Sequence, residues 1–221
     1  MAKDVLIIGA TRGIGLATVK TALSSGYRVR AFARTASRIP IDHSDLEKIS
    51  GDALNSEDIA AAVQNTDVVI QALGIPVNTK MLTGPIDLFS TATRVLVPAM
   101  EAASVRRLIT VTGFGAGDGR RRISPLQRIG FEMFLGKVYS DKDTQEDIIK
   151  ASSLDWTIVR PGILTSGNAT GSYRVLTEPD SWRNGFISRE DVSDFLVRQV
   201  EDQAYVSKTP VIIGRCALPN L

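Results

Sequence analysis

One short segment constrains this chain more than any other. Gly9-Ala10-Thr11-Arg12-Gly13-Ile14-Gly15 is wedged between an aliphatic run, Val5-Leu6-Ile7-Ile8, and a helical repeat. The run is continuous rather than alternating, which suits a strand buried on both faces, as in a parallel sheet. After the turn, Ile14, Leu16, Ala17, Val19 and Leu23 recur at three- and four-residue intervals up to Ser25-Gly26, where Gly26 is placed as a C-cap. Gly9 permits a tight turn, Gly13 lets backbone come close to a pyrophosphate, and Gly15 lets the helix pack against the sheet. The helix N-terminus adds unpaired N–H groups and partial positive charge. In this context the turn reads as a phosphate cradle, against the plainer alternative of a glycine-rich turn that holds nothing.

The alternation continues along the chain. Strands are expected at Tyr27 to Ala33, Lys48 to Ser50, Val68 to Ile70, Leu108 to Val111, Trp156 to Val159 and Val211 to Ile213. Helices are expected at Ser56 to Gln64, with Ser56 as N-cap, and at Pro85 to Ser104, where Pro98 predicts a kink or a locally lost hydrogen bond. Two more follow at Ser124 to Ser152, broken near Gly136, and at Ser188 to Glu201. Strand and helix in turn predict an α/β fold, a doubly wound parallel sheet, in a single domain over 1–221 with no linker or repeat. Two loops stand out. Gly113 to Arg122 holds four glycines and three arginines, and Pro161 to Gly185 has little pattern beyond a possible strand at Tyr173 to Leu176. Both follow strands at the carboxyl edge, where ligands bind in open α/β sheets. The segments 113–140 and 161–187 are therefore expected to form the substrate side.

Composition mainly excludes. The 26 basic and 24 acidic residues leave a net charge of +2, so charge makes no case for nucleic-acid or membrane binding. Arg120-Arg121-Arg122 reads as a solvated loop or as a clamp for an acidic substrate. Cys216 and His43 are each alone. No intramolecular disulfide, cysteine zinc site or histidine-rich metal site can form, and no nucleophile–histidine triad unless His43 itself serves. The apolar run Val5 to Ala10 is too short to span a bilayer and lacks a cleavable signal layout, so a reducing, cytoplasmic setting is expected.

Beyond the first turn, further segments carry a resemblance: Gly51-Asp52-Ala53-Leu54, Asp67 to Gly74, Leu108 to Gly113, Leu154 to Gly162, and Ile187-Ser188-Arg189-Glu190-Asp191-Val192. Over nearly its whole length the chain resembles the atypical branch of the short-chain dehydrogenase/reductase superfamily. Within it, the biliverdin-IX beta (flavin) reductase-like and NmrA-like NAD(P)H-binding proteins are the most similar. The resemblance implies a Rossmann-type sheet with strand order 3-2-1-4-5-6, a possible extra C-terminal strand and a nicotinamide cofactor. One departure is the glycine spacing. Arg12 takes the middle position usually held by glycine in this branch, and Gly13 follows it.

The cofactor residues can be placed on that frame. Gly9, Thr11, Arg12, Gly13, Ile14 and Gly15 form the phosphate turn. The second strand ends Phe32-Ala33-Arg34-Thr35, without the acid that accepts from a ribose 2′-OH in NAD-binding chains. Arg34, with Arg12 nearby and Arg38 more distant, would instead pair with a 2′-phosphate, so NADP(H) is the expected cofactor. The alternative is a solvated strand-end arginine. The resemblance puts Asp52-Ala53 beside the adenine, or Asp52 only orders a turn. Leu73-Gly74 ends the fourth strand, where a side chain would crowd the ribose and phosphates. Pro161 either walls the nicotinamide pocket, as in relatives, or only terminates its strand.

Chemistry is less complete. Catalytic members of the superfamily use Ser, Tyr and Lys, with Lys four residues after Tyr. Here the segment reads Val138-Tyr139-Ser140-Asp141-Lys142. Aligned through Leu154-Asp155-Trp156, Lys142 falls on the family lysine and would hold the nicotinamide ribose. Val138 takes the tyrosine position, and Tyr139 comes one residue late. Tyr139 and Lys142 could share a helix face, or Tyr139 is a packing tyrosine. Thr112 falls near the family serine and could bond a nicotinamide amide or a substrate carbonyl, or it is a strand-end threonine. The apolar segment Leu126 to Leu135 is core, a subunit contact or a lid over a planar substrate.

The leading expectation is an NADPH-dependent oxidoreductase passing hydride to a planar or carbonyl acceptor of flavin or quinone type. Such acceptors need orientation more than a tuned acid. The alternatives are a non-catalytic NADP(H)-binding regulator of the NmrA-like kind and a sugar-nucleotide epimerase-like enzyme. Expected partners are a small-molecule acceptor, with no nucleic acid and no membrane, in a monomer or small homo-oligomer.

Overall fold

The structure is a computed structural model that describes residues 2–75, 86–122 and 125–215, with backbone alone for 120–122 and 125–135. At its centre lies β1 (Asp4–Ile8), flanked in parallel by β2 (Arg28–Ala33) and β4 (Val68–Gln71), with β3 (Leu46–Ser50) outside β2. The continuous apolar run of β1 is explained by what it meets. Val5 and Ile7 enter one core with Val19 and Leu23 of helix α1 (Gly13–Ser24) and Val192 and Phe195 of a C-terminal helix. Leu6 and Ile8 enter a second core on the opposite face, with Ile59 and Val63 of α2 (Ser56–Val63) and Leu96 and Met100 of α3 (Leu88–Ala102). Alternate side chains of a strand point to opposite faces, so a strand covered on both sides has no polar positions.

On the other side of β1 the sheet runs through β5 (Arg107–Val111) and β6 (Asp155–Pro161). Helix α4 (Pro125–Lys150) connects these two strands. The full order is β3-β2-β1-β4-β5-β6, extended by β10 (Val211–Gly214) parallel to β6 and by β8 (Tyr173–Leu176) antiparallel to β10. The expected order and extra C-terminal strand are thus present, with β8 as a further edge strand. The chain switches direction at β1 and β4, the crevice where open α/β sheets bind ligands. Beyond β6 the chain forms a feature with no sequence signal: a separate parallel pair of β7 (Ile163–Thr165) and β9 (Phe186–Ser188). Helix α5 (Arg189–Arg198) starts directly from β9.

Two local expectations are corrected, at Ser56 and Gly136, while the hydrogen bond expected to be lost at Pro98 is lost. Asn55, not Ser56, caps α2, its Oδ1 accepting from the N–H groups of Glu57 at 2.8 Å and Asp58 at 3.0 Å. Helix α3 runs through Pro98. Pro98 and Arg94 are both exposed, so water can satisfy the carbonyl that loses its partner. Helix α4 runs through Gly136 without a break. A mid-helix glycine costs about 1 kcal/mol against alanine. Burial of Val138, Gln145, Glu146 and Ile149 outweighs it. The start of the expected helix Pro85 to Ser104, before Ile86, lies outside the described residues.

Candidate functional site

The glycine turn after β1 is shaped by close approach. Gly9 has φ +92°, and a Cβ there would lie 2.7 Å from the carbonyl oxygen of Ala72, just past β4. A Cβ on Gly15 would lie 2.1 Å from the Gly9 carbonyl oxygen, so α1 begins directly on the turn. Gly13 is different. Its φ of +57° favours glycine, but the space beside it is open, the nearest atom being Arg189 Nε at 3.9 Å from a built Cβ. The residue that caps α1, Arg12, is extended and offers no side-chain cap, and no acid stands in the first turn. The first N–H groups of α1 therefore face outward with their partial positive charge uncompensated, an arrangement suited to an anion.

Around this turn the residues expected on the adenosine side gather at one edge. Gly9 N–H donates to the Phe32 carbonyl at 3.0 Å, which ties the turn to the end of β2, where Arg34 follows. Thr11 is half-buried in the turn, and Ile14 packs against the core below it. Arg12, Arg34 and Arg38 are exposed, and no carboxylate is paired with any of them among the described residues. Asp52 orders a turn: its Oδ1 accepts the Leu54 N–H at 3.0 Å, while its own N–H donates to Asp58 at 2.7 Å. Ala53 is buried beneath it. Leu73 packs inward, while Gly74 is exposed, with nothing within 4 Å of a built Cβ. Space for a bulky group is thus open where β4 ends.

On the other half of the edge, α4 meets the end of β5. Lys142 Nζ donates to the Thr112 carbonyl and lies 4.7 Å from the centre of the Phe89 ring. Burial pulls its pKa down to about 8, against the pull of Glu146 and Asp141. Tyr139 brings its hydroxyl over Gly113, where a built Cβ would come within 2.6 Å of it. Burial pushes the phenol up to about 12. The structure thus brings Tyr139 and Lys142 onto neighbouring peptide units of one strip, Thr112-Gly113.

The Thr112 hydroxyl is buried and donates to Glu146 Oε1 at 2.8 Å, which commits its proton and leaves its oxygen as an acceptor. Pro161 is buried in β6, and its carbonyl accepts the Phe114 N–H at 3.0 Å.

Beneath this strip lies a charge network that sequence reasoning missed. Arg160 grips Glu146 with two hydrogen bonds, of 2.9 and 2.5 Å, and both side chains have no exposed surface. The same guanidinium reaches Asp118 at 2.8 Å and lies over the Trp182 ring at 5.0 Å. Burial pushes the Glu146 carboxyl up, but Arg160, Lys150 and the Thr112 hydroxyl together hold it below the usual carboxylate range. The loop's glycines make room for this pair. A Cβ on Gly117 would lie 2.5 Å from Arg160 Nη2 and 2.8 Å from Glu146 Oε2. Asp141 acts elsewhere, accepting the Phe89 N–H at 2.7 Å and the Ser90 N–H at 3.2 Å at the start of α3. An arginine inside an apolar strand demands a buried partner, and that was the available signal.

The side chains of Arg120 to Arg122 and Leu126 to Leu135, and Cys216, lie outside the described residues. Two surface depressions lie away from the edge. One is at the far ends of α1 and α5, lined by Thr21, Tyr27, Asp194 and Arg198, and one is at the amino end of β1 and β2. No described helix is long and apolar enough to cross a membrane.

Comparison with known proteins agrees with this geometry. A family described as NAD(P)H-binding matches residues 9–203. An uncharacterised chloroplastic protein of Arabidopsis thaliana is 30% identical over 228 residues, covering 99% of this chain and 79% of that protein. The chloroplastic protein TIC 62 of Oryza sativa subsp. japonica is 28% identical over 220 residues, covering 87% of this chain, which spans only 42% of that protein's length. Among solved structures, ChuY of Escherichia coli O157:H7, described as an anaerobillin reductase, superposes with a TM-score of 0.79 at 25% identity, covering 98% of this chain and 99% of its own. Fold, glycine turn and family match together establish that the chain belongs to the NAD(P)H-binding family of atypical short-chain dehydrogenase/reductases.

Proposed function

We propose that this protein is an NADPH-dependent oxidoreductase that passes hydride to a planar or carbonyl acceptor of flavin or quinone type. The observation that carries the reading is the edge itself. An acid-free helix N-terminus stands beside exposed Arg12 and Arg34, and a half-buried tyrosine and a lysine stand at its other end. The residues fit a dinucleotide: Gly9 and Gly15 bring backbone into contact where a Cβ would collide, and the space beside Gly13 and Gly74 is open. The α1 N-terminus would hold the pyrophosphate, Arg34 and Arg12 the 2′-phosphate, Asp52-Ala53 the adenine and Lys142 the nicotinamide ribose. When bound, the reduced nicotinamide supplies the hydride.

The chain's own groups then orient more than they titrate. Tyr139, pushed up to about 12, keeps its proton at neutral pH. The Thr112 hydroxyl donates its hydrogen bond to Glu146. A quinone or flavin suits this incomplete acid–base set, because it takes its proton from solvent. The description of ChuY as a reductase supports the same class.

The committed Thr112 hydroxyl and the displaced Tyr139 equally favour a second reading, a non-catalytic NADP(H)-binding regulator. The two separate in one assay. Reduced-nicotinamide absorbance is followed with NADPH and a panel of flavins and quinones. Turnover with at least one acceptor is expected, and tight NADPH binding without turnover on any of them would favour the regulator. The proposal includes a small-molecule partner, a reducing cytoplasmic setting and a monomer or small homo-oligomer. Two relatives carry chloroplastic names.

A further inference from the structure

The segment Ile187-Ser188-Arg189-Glu190-Asp191-Val192 remains without a role in the site as described. Ser188 caps α5, accepting the Asp191 N–H at 3.0 Å, and Asp191 in turn accepts from the Thr170 N–H at 2.7 Å and the Gly171 N–H at 2.9 Å. Those residues build the helix start and strap the loop in front of β8. Arg189 serves neither purpose. It is the first residue of α5, and its Nε lies 3.9 Å from the position a Cβ would take on Gly13.

Two helix starts therefore face one guanidinium. Farther along the same pair of helices, Thr21 and Ser193 share a hydrogen bond of 2.8 Å between their hydroxyls, which fixes α1 against α5. Arg189 is anchored from one side only, Nη1 donating to the Thr165 carbonyl at 2.9 Å at the end of β7. Its Nε and Nη2 make no hydrogen bond among the described residues. Within α5 the cation is offset by Glu190 and Asp191 of the same first turn, but beside α1, which has no first-turn acid, it opposes the helix dipole. An anion lodged between the α1 N–H groups and the guanidinium reverses the sign of that interaction.

We infer that Arg189 is a ligand of the cofactor's pyrophosphate, presented by α5 across the glycine turn and closing the phosphate site from the side opposite β4. The guanidinium fork can give Nε and Nη2 to phosphate oxygens while Nη1 stays on Thr165. Through that bond the phosphate site is tied to β7, which leaves Pro161 and Gly162 on the acceptor side. The inference rests on the cofactor belonging to this turn, and it holds for a reductase and a regulator alike.

The test compares NADPH, NADH and adenosine 2′-monophosphate binding by wild type, R189Q and R189K, with the melting temperature of each protein free of nucleotide. R189Q should weaken NADPH and NADH by the same factor, about 10- to 100-fold for a lost charge-assisted contact. It should leave adenosine 2′-monophosphate, which has no pyrophosphate, unaffected. R189K should recover part of the loss, and the nucleotide-free melting temperature should not fall. Unchanged dinucleotide affinity in R189Q would overturn the inference. So would a loss extending to adenosine 2′-monophosphate together with a lowered melting temperature, which marks a merely structural arginine. Wild type that binds neither dinucleotide would remove the cofactor assignment itself, a separate failure.

Discussion

Replacing Glu146 by leucine tests the buried network under the active edge. The carboxylate stands 2.9 and 2.5 Å from two guanidinium nitrogens of Arg160, with neither side chain exposed. At an effective dielectric of about 20 such a pair attracts by about 6 kcal/mol, most of which is offset by the desolvation of both ions. Removing one partner is another matter, because it strands a buried charge at a cost of about 3–5 kcal/mol. Asp118 still reaches Arg160 at 2.8 Å, but its side chain is 57% exposed and screened, so the lower end, about 3 kcal/mol, is expected. At this size that is a drop in Tm of about 6–12 °C.

Urea denaturation of wild type, E146L, R160M and the double variant measures the energy directly. The double variant should regain much of the loss, since it removes both charges and not one. The pH dependence has a defined sign. Glu146 is held below its unfolded value by Arg160 despite burial, so its contribution is present above the unfolded carboxylate pKa of about 4.3 and is lost as pH falls toward the folded value. The gap between wild type and E146L should therefore be full at pH 6 to 7 and narrow below about pH 4. A single-variant cost under about 1 kcal/mol, or a gap independent of pH, would refute the reasoning.

Arg34→Ala should weaken NADPH by about tenfold or more and leave NADH nearly unchanged, measured by titration of both; equal losses would remove the 2′-phosphate assignment. Lys142→Ala should lower turnover more than NADPH affinity. Because burial sets Lys142 at about 8, wild-type turnover should decline as pH rises through that value, and the variant's profile should lack that limb.

Much of the fold was legible because it rests on local pattern. The aliphatic β1, the glycine turn and the periodic α1 each follow from spacing alone, and strand–helix alternation implied the parallel sheet. The elements misread were short or context-bound. Gly136 looks like a helix breaker in sequence, yet packing keeps α4 whole. The pair β7 and β9 has three residues in each strand, too few for any periodicity to show. Of the site, the glycine turn was readable from its spacing, and Lys142 was singled out only through the resemblance. The partners of Thr112, Arg160 and Arg189 were not, because each sits on a different element from the residue it meets.

What the sequence determined by itself is the architecture and the class of cofactor, since backbone conformation at Gly9 and the burial of β1 are properties of contiguous residues. What only the tertiary structure decided is which groups are left to act. The Thr112 hydroxyl came to donate to a glutamate on α4, Gly113 and Gly117 proved to make room for Tyr139 and Arg160, and Arg189 came to stand at a turn distant in sequence. Hydrogen bonds and ion pairs between distant segments depend on how helices dock on the sheet, and no local pattern encodes that docking.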